Sequence, residues 1–317
     1  MTRALVFPGQ GSQAVGMGKE LAEAFPTARH VFEEVDETLQ QNLTRIMFNG
    51  PDDKLRLTEN VQPALMAVSV AIVSVLRNEG KVPLLDLADY VAGHSLGEYT
   101  ALAAADAFSL ADTARLLKLR GTTMQKAVPV GKGAMAALIG PTLEETEAIA
   151  ADALATGTEC EVCDLANDNA PGQVVVSGSR AAVERAVKIA SERGAKRSII
   201  LPVSAPFHCS LMQPAAIIMA DELAKTTISP PVVPLIANVT ADEVGNPEEI
   251  RRNLVTQITE RVRWRECVVS LKNKGVETLV EIGAGRVLSG LTRRIDRELS
   301  SVSIQGPGDI ETFLGSL

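Results

Sequence analysis

The stretch Gly93-His94-Ser95-Leu96-Gly97 decides the fold of this chain of 317 residues. It follows an apolar run at 90–92, which predicts a buried strand, and it precedes an alanine-rich run at 98–105, which predicts a helix. A strand, a Gly-x-Ser-x-Gly turn and a helix together are typical of a nucleophile elbow. The glycines allow a tight turn, and the start of the helix directs unpaired N–H groups at the place where an oxyanion would form. The pentapeptide alone is also compatible with a plain glycine-rich turn, and the setting favours the elbow.

The segments around the elbow predict an α/β unit with a parallel sheet. Residues 3–7 form an apolar run that predicts a strand, and helical patterns cover 17–25, 27–39, 62–79 and 109–126. Strands alternating with helices indicate parallel strands, and ligands of such sheets lie at the carboxyl ends of the strands. Gln10, in the turn after the first strand, would therefore lie near Ser95. No Gly-Lys-Ser/Thr follows that turn, which excludes a phosphate loop.

A second unit begins near Gly133. Strand patterns at 134–139, 161–167, 173–177 and 197–203 and helical patterns at 143–154 and 181–192 follow the order β-α-β-β-α-β, with a turn at 168–172. This order predicts a ferredoxin-like insert. The remaining chain predicts strands at 230–238 and 277–282, helices at 248–257, 267–274 and 287–297, and a short terminal helix.

Charge and composition indicate a cytoplasmic protein without nucleic-acid or membrane partners. The net charge is -8, and no cluster of basic and aromatic residues indicates nucleic acid. An acidic partner would therefore need a local basic patch. No targeting segment is recognisable, and we expect no apolar run as long as the roughly 18 residues of a membrane span. The pair Cys160 and Cys163 has no second pair or nearby histidine, so we interpret both as reduced packing cysteines.

Ser95 needs a base to become a useful nucleophile, and the chain has three histidines. His30 lies in a polar helical segment, and the side chain of His94 should diverge from that of its neighbour Ser95. His208 remains, in a loop that follows a predicted strand. In an α/β-hydrolase the triad order is Ser, Asp, His with the histidine near the end of the chain. That arrangement does not fit here, so the group that orients His208 must come from elsewhere, such as a backbone carbonyl.

Arg120 lies on or beside the apolar stripe of the helix predicted for 109–126. A permanently charged guanidinium directed at a core needs an anionic partner, and its planar donors suit a carboxylate. Two possibilities are open at this point. The partner is either an Asp or Glu of the protein, in an internal salt bridge, or the carboxylate of a ligand.

Six collinear motifs span nearly the whole chain. They are Phe7-Pro8-Gly9-Gln10-Gly11-Ser12-Gln13, Gly93-His94-Ser95-Leu96-Gly97-Glu98, Lys118-Leu119-Arg120-Gly121, Asn167 with Pro171-Gly172-Gln173-Val174-Val175-Val176-Ser177-Gly178, Pro202-Val203-Ser204-Ala205-Pro206-Phe207-His208, and Glu281-Ile282-Gly283. Together they resemble the malonyl-CoA:acyl carrier protein transacylase family. The chain departs from the family pattern at Arg261, where the family often has proline, and at Ala284, where it often has Gly-Pro-Gly.

The resemblance implies an α/β-hydrolase-like parallel-sheet subdomain of residues 1–127 and 204–317, with a ferredoxin-like inserted subdomain of residues 128–203. It also implies a role for each of eight residues: Ser95 as nucleophile, His208 as base, the backbone N–H groups of Gln10 and Leu96 as oxyanion hole, Arg120 as carboxylate ligand, the backbone carbonyl of Gln257 as orienter of His208, Phe207 as selectivity wall, and Asn167 as a further pocket residue.

The reaction implied is a ping-pong transfer of malonyl from malonyl-CoA to the phosphopantetheine thiol of acyl carrier protein, through a malonyl-Ser95 ester, in fatty acid synthesis. No bound cofactor or metal is implied, coenzyme A and carrier protein are the partners, and we expect a monomer. Three alternatives stay open. They are a serine thioesterase or hydrolase on the same elbow, a malonyltransferase of a polyketide or malonate decarboxylase system, and a binding module without enzymatic activity.

Overall fold

The computed structural model describes residues 2–317 and confirms the α/β class. Strands and helices alternate along most of the chain. The strands are β1 Arg3–Phe7, β2 Tyr90–Gly93, β3 Gly133–Ile139, β4 Cys163–Ala170, β5 Gln173–Ser179, β6 Arg197–Ile200, β7 Leu235–Ile236, β8 Glu243–Val244, β9 Thr278–Ile282 and β10 Ser300–Ile304. The helices are α1 Lys19–Ala24, α2 Pro26–Leu39, α3 Leu43–Asn49, α4 Asp52–Leu55, α5 Thr58–Asn78, α6 Leu84–Leu87, α7 Leu96–Ala104, α8 Leu110–Ala127, α9 Leu143–Ala155, α10 Arg180–Glu192, α11 Gln213–Lys225, α12 Pro247–Thr256, α13 Trp264–Asn273, α14 Val287–Ile295 and α15 Pro307–Leu314.

The larger sheet has six strands in the order β10-β9-β1-β2-β7-β8. All neighbours are parallel except β7 and β8. Phe7 is in register with Gly93, so β1 and β2 end at the same level. The turns that follow these two strands therefore meet at one edge of the sheet, where ligands of parallel sheets bind.

Helix α5 is the centre of the hydrophobic core beside this sheet. It packs against α2, α7 and α8, and its residues from Asn60 to Val73 are all buried. A helix that is buried on nearly every face is mostly apolar on every face, and here Asn60, Gln62 and Ser69 are the buried polar exceptions in that stretch. The sequence expectation that no apolar run reaches membrane length is wrong. By length and composition α5 could span a membrane, but 89% of the relevant window is buried inside the protein.

The smaller sheet has four antiparallel strands in the order β4-β5-β3-β6, and α9 and α10 pack on it. Thr142 and Glu145 form a capping box that starts α9. This sheet is joined to the rest of the protein by hydrogen bonds from Asp168 N to Val262 O and from Val262 N to Ala166 O, both 2.9 Å. The strands span residues 133–200, and the subdomain boundaries at 128 and 203 stay a prediction.

Three local expectations are wrong, and not every strand was expected. The predicted strand at 230–238 is reduced to Leu235–Ile236, because the prolines before it have no N–H for a ladder. The turn predicted at 168–172 is only Pro171-Gly172, since β4 continues to Ala170. Helix α5 starts four residues before the predicted Gln62. Strand β10 was not predicted at all.

Candidate active site

Ser95 lies between β2 and α7 in a backbone conformation that side chains rarely adopt, with φ 56° and ψ −112°. The two glycines of the motif have no room for a side chain. A Cβ on Gly93 would lie 1.9 Å from the carbonyl group of Gly97, and a Cβ on Gly97 would lie 2.2 Å from the carbonyl oxygen of Phe7. The turn is thus a sharp, crowded elbow that presents Ser95 at the end of the strand, and strain of this kind is typical of functional positions.

His208 lies within hydrogen-bond reach of the serine. Its Nε2 is 2.7 Å from Ser95 Oγ, and its Nδ1 is 2.7 Å from the backbone oxygen of Gln257. A carbonyl oxygen can only accept, so Nδ1 carries the proton and Nε2 accepts the hydroxyl proton of Ser95. This is the tautomer that a general base for Ser95 requires.

The environment of His208 keeps it neutral. The side chain is buried, with 3% of the residue exposed, and φ of 54° holds its backbone in the left-handed region. Burial, followed by the positive charge of Arg120, lowers the pKa of His208 to about 3. The imidazole is therefore ready to accept a proton at neutral pH, and it gains the protonated form only when negative charge develops beside it.

Arg120 extends from α8 to the same serine. The guanidinium donates to Ser95 Oγ at 3.2 Å, to Gln257 Oε1 at 2.9 Å and to Gln62 Oε1 at 2.8 Å. Its carbon lies 5.6 Å from the ring centroid of Tyr99, which places it over the aromatic face. The residue is 1% exposed, and burial lowers its pKa from the ordinary value.

The alternative of an internal salt bridge for Arg120 is not what the structure contains. Within residues 2–317 no carboxylate oxygen lies within 4.0 Å of its guanidinium nitrogens, and Nε has no hydrogen-bond partner. Its acceptors are the neutral amides of Gln62 and Gln257 and the hydroxyl of Ser95. A buried cation held only by neutral groups can still bind a ligand carboxylate.

Two buried polar residues below the elbow, Asn238 and Glu98, were missed as site residues in the sequence. Asn238 accepts from Ser95 N at 2.8 Å and donates to Gly93 O at 2.7 Å. Glu98 Oε2 accepts from Asn238 N at 2.9 Å and from Gln257 Nε2 at 3.0 Å. Asn238 is the last residue of the strand predicted at 230–238, and Glu98 falls in the first turn of an apolar helix. These two positions were the available signals.

Seven of the eight predicted site residues line one pocket, and Gln257 lies behind it. The seven are Gln10, Ser95, Leu96, Arg120, Asn167, Phe207 and His208. Within residues 2–317, the backbone N–H groups of Gln10 and Leu96 have no protein acceptor. Two free N–H groups beside a serine hydroxyl can stabilise an oxyanion. Asn167 and Phe207 are 7% and 8% exposed and form part of the wall.

The other histidines and the cysteines do not contact the Ser95 hydroxyl, although His94 lines the same pocket. His30 is exposed, and His94 Nε2 is paired with Asn169 Oδ1 at 2.8 Å rather than with Ser95. Cys163 is buried as expected, but Cys160 is exposed because it precedes β4, so the interpretation of Cys160 as a packing residue is wrong. Over residues 2–317 no group of three His, Cys, Asp or Glu side chains is arranged to hold a metal ion.

Comparison with known proteins gives one consistent result. Residues 4–306 match the family described as "Acyl transferase domain". The malonyl CoA-acyl carrier protein transacylase of Bacillus subtilis is 43% identical over 314 residues, which cover 99% of this chain and 96% of that protein. The crystal structure of an acyl-carrier-protein S-malonyltransferase from Bartonella henselae is 51% identical, with a TM-score of 0.96 over 100% of this chain and 99% of the other.

A further solved structure contains a partner. It is a type II polyketide synthase acyl carrier protein in complex with its malonyl transacylase. The matched chain is 40% identical, with a TM-score of 0.95 and full coverage of both chains.

Proposed function

The chain belongs to the acyl transferase domain family, and on that premise we propose that it transfers malonyl from malonyl-CoA to the phosphopantetheine thiol of acyl carrier protein. It is an acyltransferase, and the transfer supplies chain-extension units for fatty acid synthesis. The carrier is a malonyl ester on Ser95, formed and broken in two half-reactions.

The observation that carries this proposal is the position of Arg120. A buried guanidinium 3.2 Å from the nucleophile, with no carboxylate partner in the described residues, suits an acyl group that ends in a carboxylate. An acetyl group would leave that charge without an anion. Sites that lose a charged partner in this way reject the smaller analogue strongly.

In the first half-reaction His208 Nε2 takes the hydroxyl proton of Ser95 while Oγ attacks the thioester carbonyl carbon of malonyl-CoA. The oxyanion that forms accepts hydrogen bonds from the N–H groups of Gln10 and Leu96. The carbon–sulfur bond then breaks, and the leaving thiolate of coenzyme A receives the proton from His208. The carbonyl of Gln257 holds Nδ1–H throughout, so the imidazole keeps its orientation.

The second half-reaction repeats these steps with a different acceptor. His208 takes the proton of the phosphopantetheine thiol, and the sulfur attacks the ester carbonyl. Ser95 leaves and recovers its proton from His208. Water must not replace the thiol at this point, and the apolar wall that includes Phe207 supports its exclusion.

We place the carrier protein on helix α14. Arg286, Arg293, Arg294 and Arg297 are exposed at or beside this helix, and within residues 2–317 none forms an ion pair. The chain as a whole has a charge of -8, so such a patch is the local attraction that an acidic carrier protein needs. A neighbour of similar structure in complex with a carrier protein supports a partner of this kind.

The test is a transfer assay that follows both products. The protein is mixed with malonyl-CoA with and without phosphopantetheinylated carrier protein, and malonyl-carrier protein and free malonate are measured by mass spectrometry. We expect malonyl-carrier protein, with little malonate when the carrier is left out. If malonate is released without the carrier as fast as malonyl-carrier protein forms with it, the result contradicts the transferase and favours the thioesterase alternative.

A further inference from the structure

Glu98 is a fully buried carboxylate one helical turn beyond the nucleophile, and the mechanism above gives it no role. Only one of its two carboxylate oxygens forms hydrogen bonds. Oε2 accepts from Asn238 N at 2.9 Å and from Gln257 Nε2 at 3.0 Å, whereas Oε1 has no partner within the described residues. An orphaned buried oxygen is costly, and its retention so close to Ser95 requires an explanation.

The side-chain amide of Gln257 connects Glu98 to the reaction site. Its Nε2 donates to Ser95 O and to Glu98 Oε2, each at 3.0 Å, and its Oε1 accepts from Arg120 at 2.9 Å. An amide has one donor end and one acceptor end. If this amide rotated by half a turn, its oxygen would face the carbonyl of Ser95 and the carboxylate, and its NH₂ would face the guanidinium.

Glu98, together with the carbonyl of Ser95 and the more distant Asn238 Oδ1 at 3.4 Å, therefore selects one of the two orientations of the amide. With that orientation fixed, Arg120 has an acceptor that holds it 3.2 Å from Ser95 Oγ. Gln62 holds the other terminal nitrogen at 2.8 Å, so the two amides together fix the plane of the guanidinium. Bidentate binding of a carboxylate depends on that plane.

We propose that Glu98 is a positioning residue, whose Oε2 orients the Gln257 amide and thereby holds Arg120 in the plane that receives the substrate carboxylate. This inference rests on the proposed function, because it assigns Glu98 a role in binding the acid end of the acyl group. It requires a hydrogen-bond acceptor at the position of Oε2. It does not require a negative charge there.

The electrostatics of the site agree with an acceptor role. Burial raises the pKa of the Glu98 carboxyl to about 7, against the lowering effect of its hydrogen bonds and of Arg120. A carboxyl that is partly neutral near pH 7 keeps its acceptor at Oε2 when the proton resides on the unpartnered Oε1.

Two substitutions separate acceptor from charge. Glu98→Gln keeps an oxygen at Oε2 and removes the charge, whereas Glu98→Asp keeps the charge and withdraws the oxygen by one methylene length. Two rates are measured for each variant. They are acylation of Ser95 by malonyl-CoA, followed by intact mass, and labelling of Ser95 by an organophosphate, which has no carboxylate and needs only the serine, the base and the oxyanion hole.

We expect Glu98→Gln to retain malonyl acylation within about threefold of the unmodified protein. Glu98→Asp should lose about tenfold or more, as for a lost hydrogen bond to a charged group, with organophosphate labelling changed by less than about threefold. The same pair of substitutions at Glu281 is the matched control. Glu281 is a buried carboxylate that accepts from Leu288 N and Ser289 N and contacts neither Gln257 nor Arg120.

Three outcomes would overturn the inference. They are retention by Glu98→Asp with loss by Glu98→Gln, equal loss of malonyl acylation and labelling in Glu98→Asp, and no change in either variant. The unmodified protein separates this failure from failure of the proposed function. If the unmodified protein forms no malonyl adduct, the proposed function is wrong. If it forms the adduct but the two variants do not differ in their rates of malonyl acylation, only the role of Glu98 is wrong.

Discussion

Replacing Arg120 by methionine is the substitution that tests acyl selection most sharply. Methionine keeps an unbranched side chain that reaches about as far as Nε of the arginine, and it removes the guanidinium that touches Ser95 Oγ, Gln62 and Gln257. Arg120 is 1% exposed, so a malonyl carboxylate bound beside it is also removed from water. Without the guanidinium that carboxylate would be a buried charge with no partner.

The size of the effect follows from the burial of this pair. Breaking a buried ion pair by removing one partner costs about 3–5 kcal/mol. At about 1.4 kcal/mol for each factor of ten, kcat/KM for malonyl-CoA should fall by a factor on the order of 10² to 10⁴. Acetyl-CoA has no carboxylate to lose its partner, so its rate should change by less than about tenfold. The preference for malonyl over acetyl should therefore largely disappear.

The assay is the acylation rate of Ser95 with each thioester, measured by rapid quench and intact mass. Arg115→Met is the matched control, because Arg115 lies on the same helix in an exposed ion pair with Asp112. Such pairs contribute little to stability, and this one is not part of the pocket. A fall of the same size for malonyl and acetyl would refute the reasoning, as would an unchanged malonyl rate in Arg120→Met.

Three further results are expected. Gly97→Ala should lower the free energy of unfolding by about 3 kcal/mol in chemical denaturation because its Cβ would meet the Phe7 carbonyl at 2.2 Å, whereas Gly290→Ala, in open space, should not. The pKa of His208 is about 3 in the folded protein and 6.5 in the unfolded chain, so between these pH values only the unfolded state binds a proton on this residue. The contribution of His208 to the free energy of unfolding is therefore complete above pH 6.5 and falls by up to about 1.4 kcal/mol per pH unit toward pH 3. Thermal unfolding of His208→Gln at a series of pH values should lack this slope. Arg293→Glu should raise KM for carrier protein severalfold and leave acylation by malonyl-CoA unchanged in a two-step assay; equal effects on both steps would contradict docking at α14.

The elements nearest the nucleophile were predictable because their signals are local. An apolar run, a glycine pair with serine between, and an apolar helix fix β2, the elbow and α7 within a few residues. Strand β10 gave no such signal. It is an edge strand of sequence Ser-Ser-Val-Ser-Ile, and its alternate residues face water, so its pattern is hardly apolar.

Side-chain partners across the fold could not be predicted from the sequence pattern. Elimination among three histidines indicated His208, and the structure places its Nε2 at Ser95 Oγ. The partners of Arg120 were left open, since nothing in a sequence says which of many residues meets a buried guanidinium. The answer, the amides of Gln62 and Gln257, depends on helices and loops that are 58 and 137 residues away along the chain.

The central claim is that Ser95 carries malonyl as an ester between two thiols. Intact-mass spectrometry after mixing with malonyl-CoA, acetyl-CoA or methylmalonyl-CoA tests it most directly, followed by peptide mapping of the modified residue. We predict one malonyl group per chain, located on Ser95, absent in Ser95→Ala and weak or absent with the other two thioesters. No adduct with malonyl-CoA, or an adduct that persists in Ser95→Ala, would contradict the account.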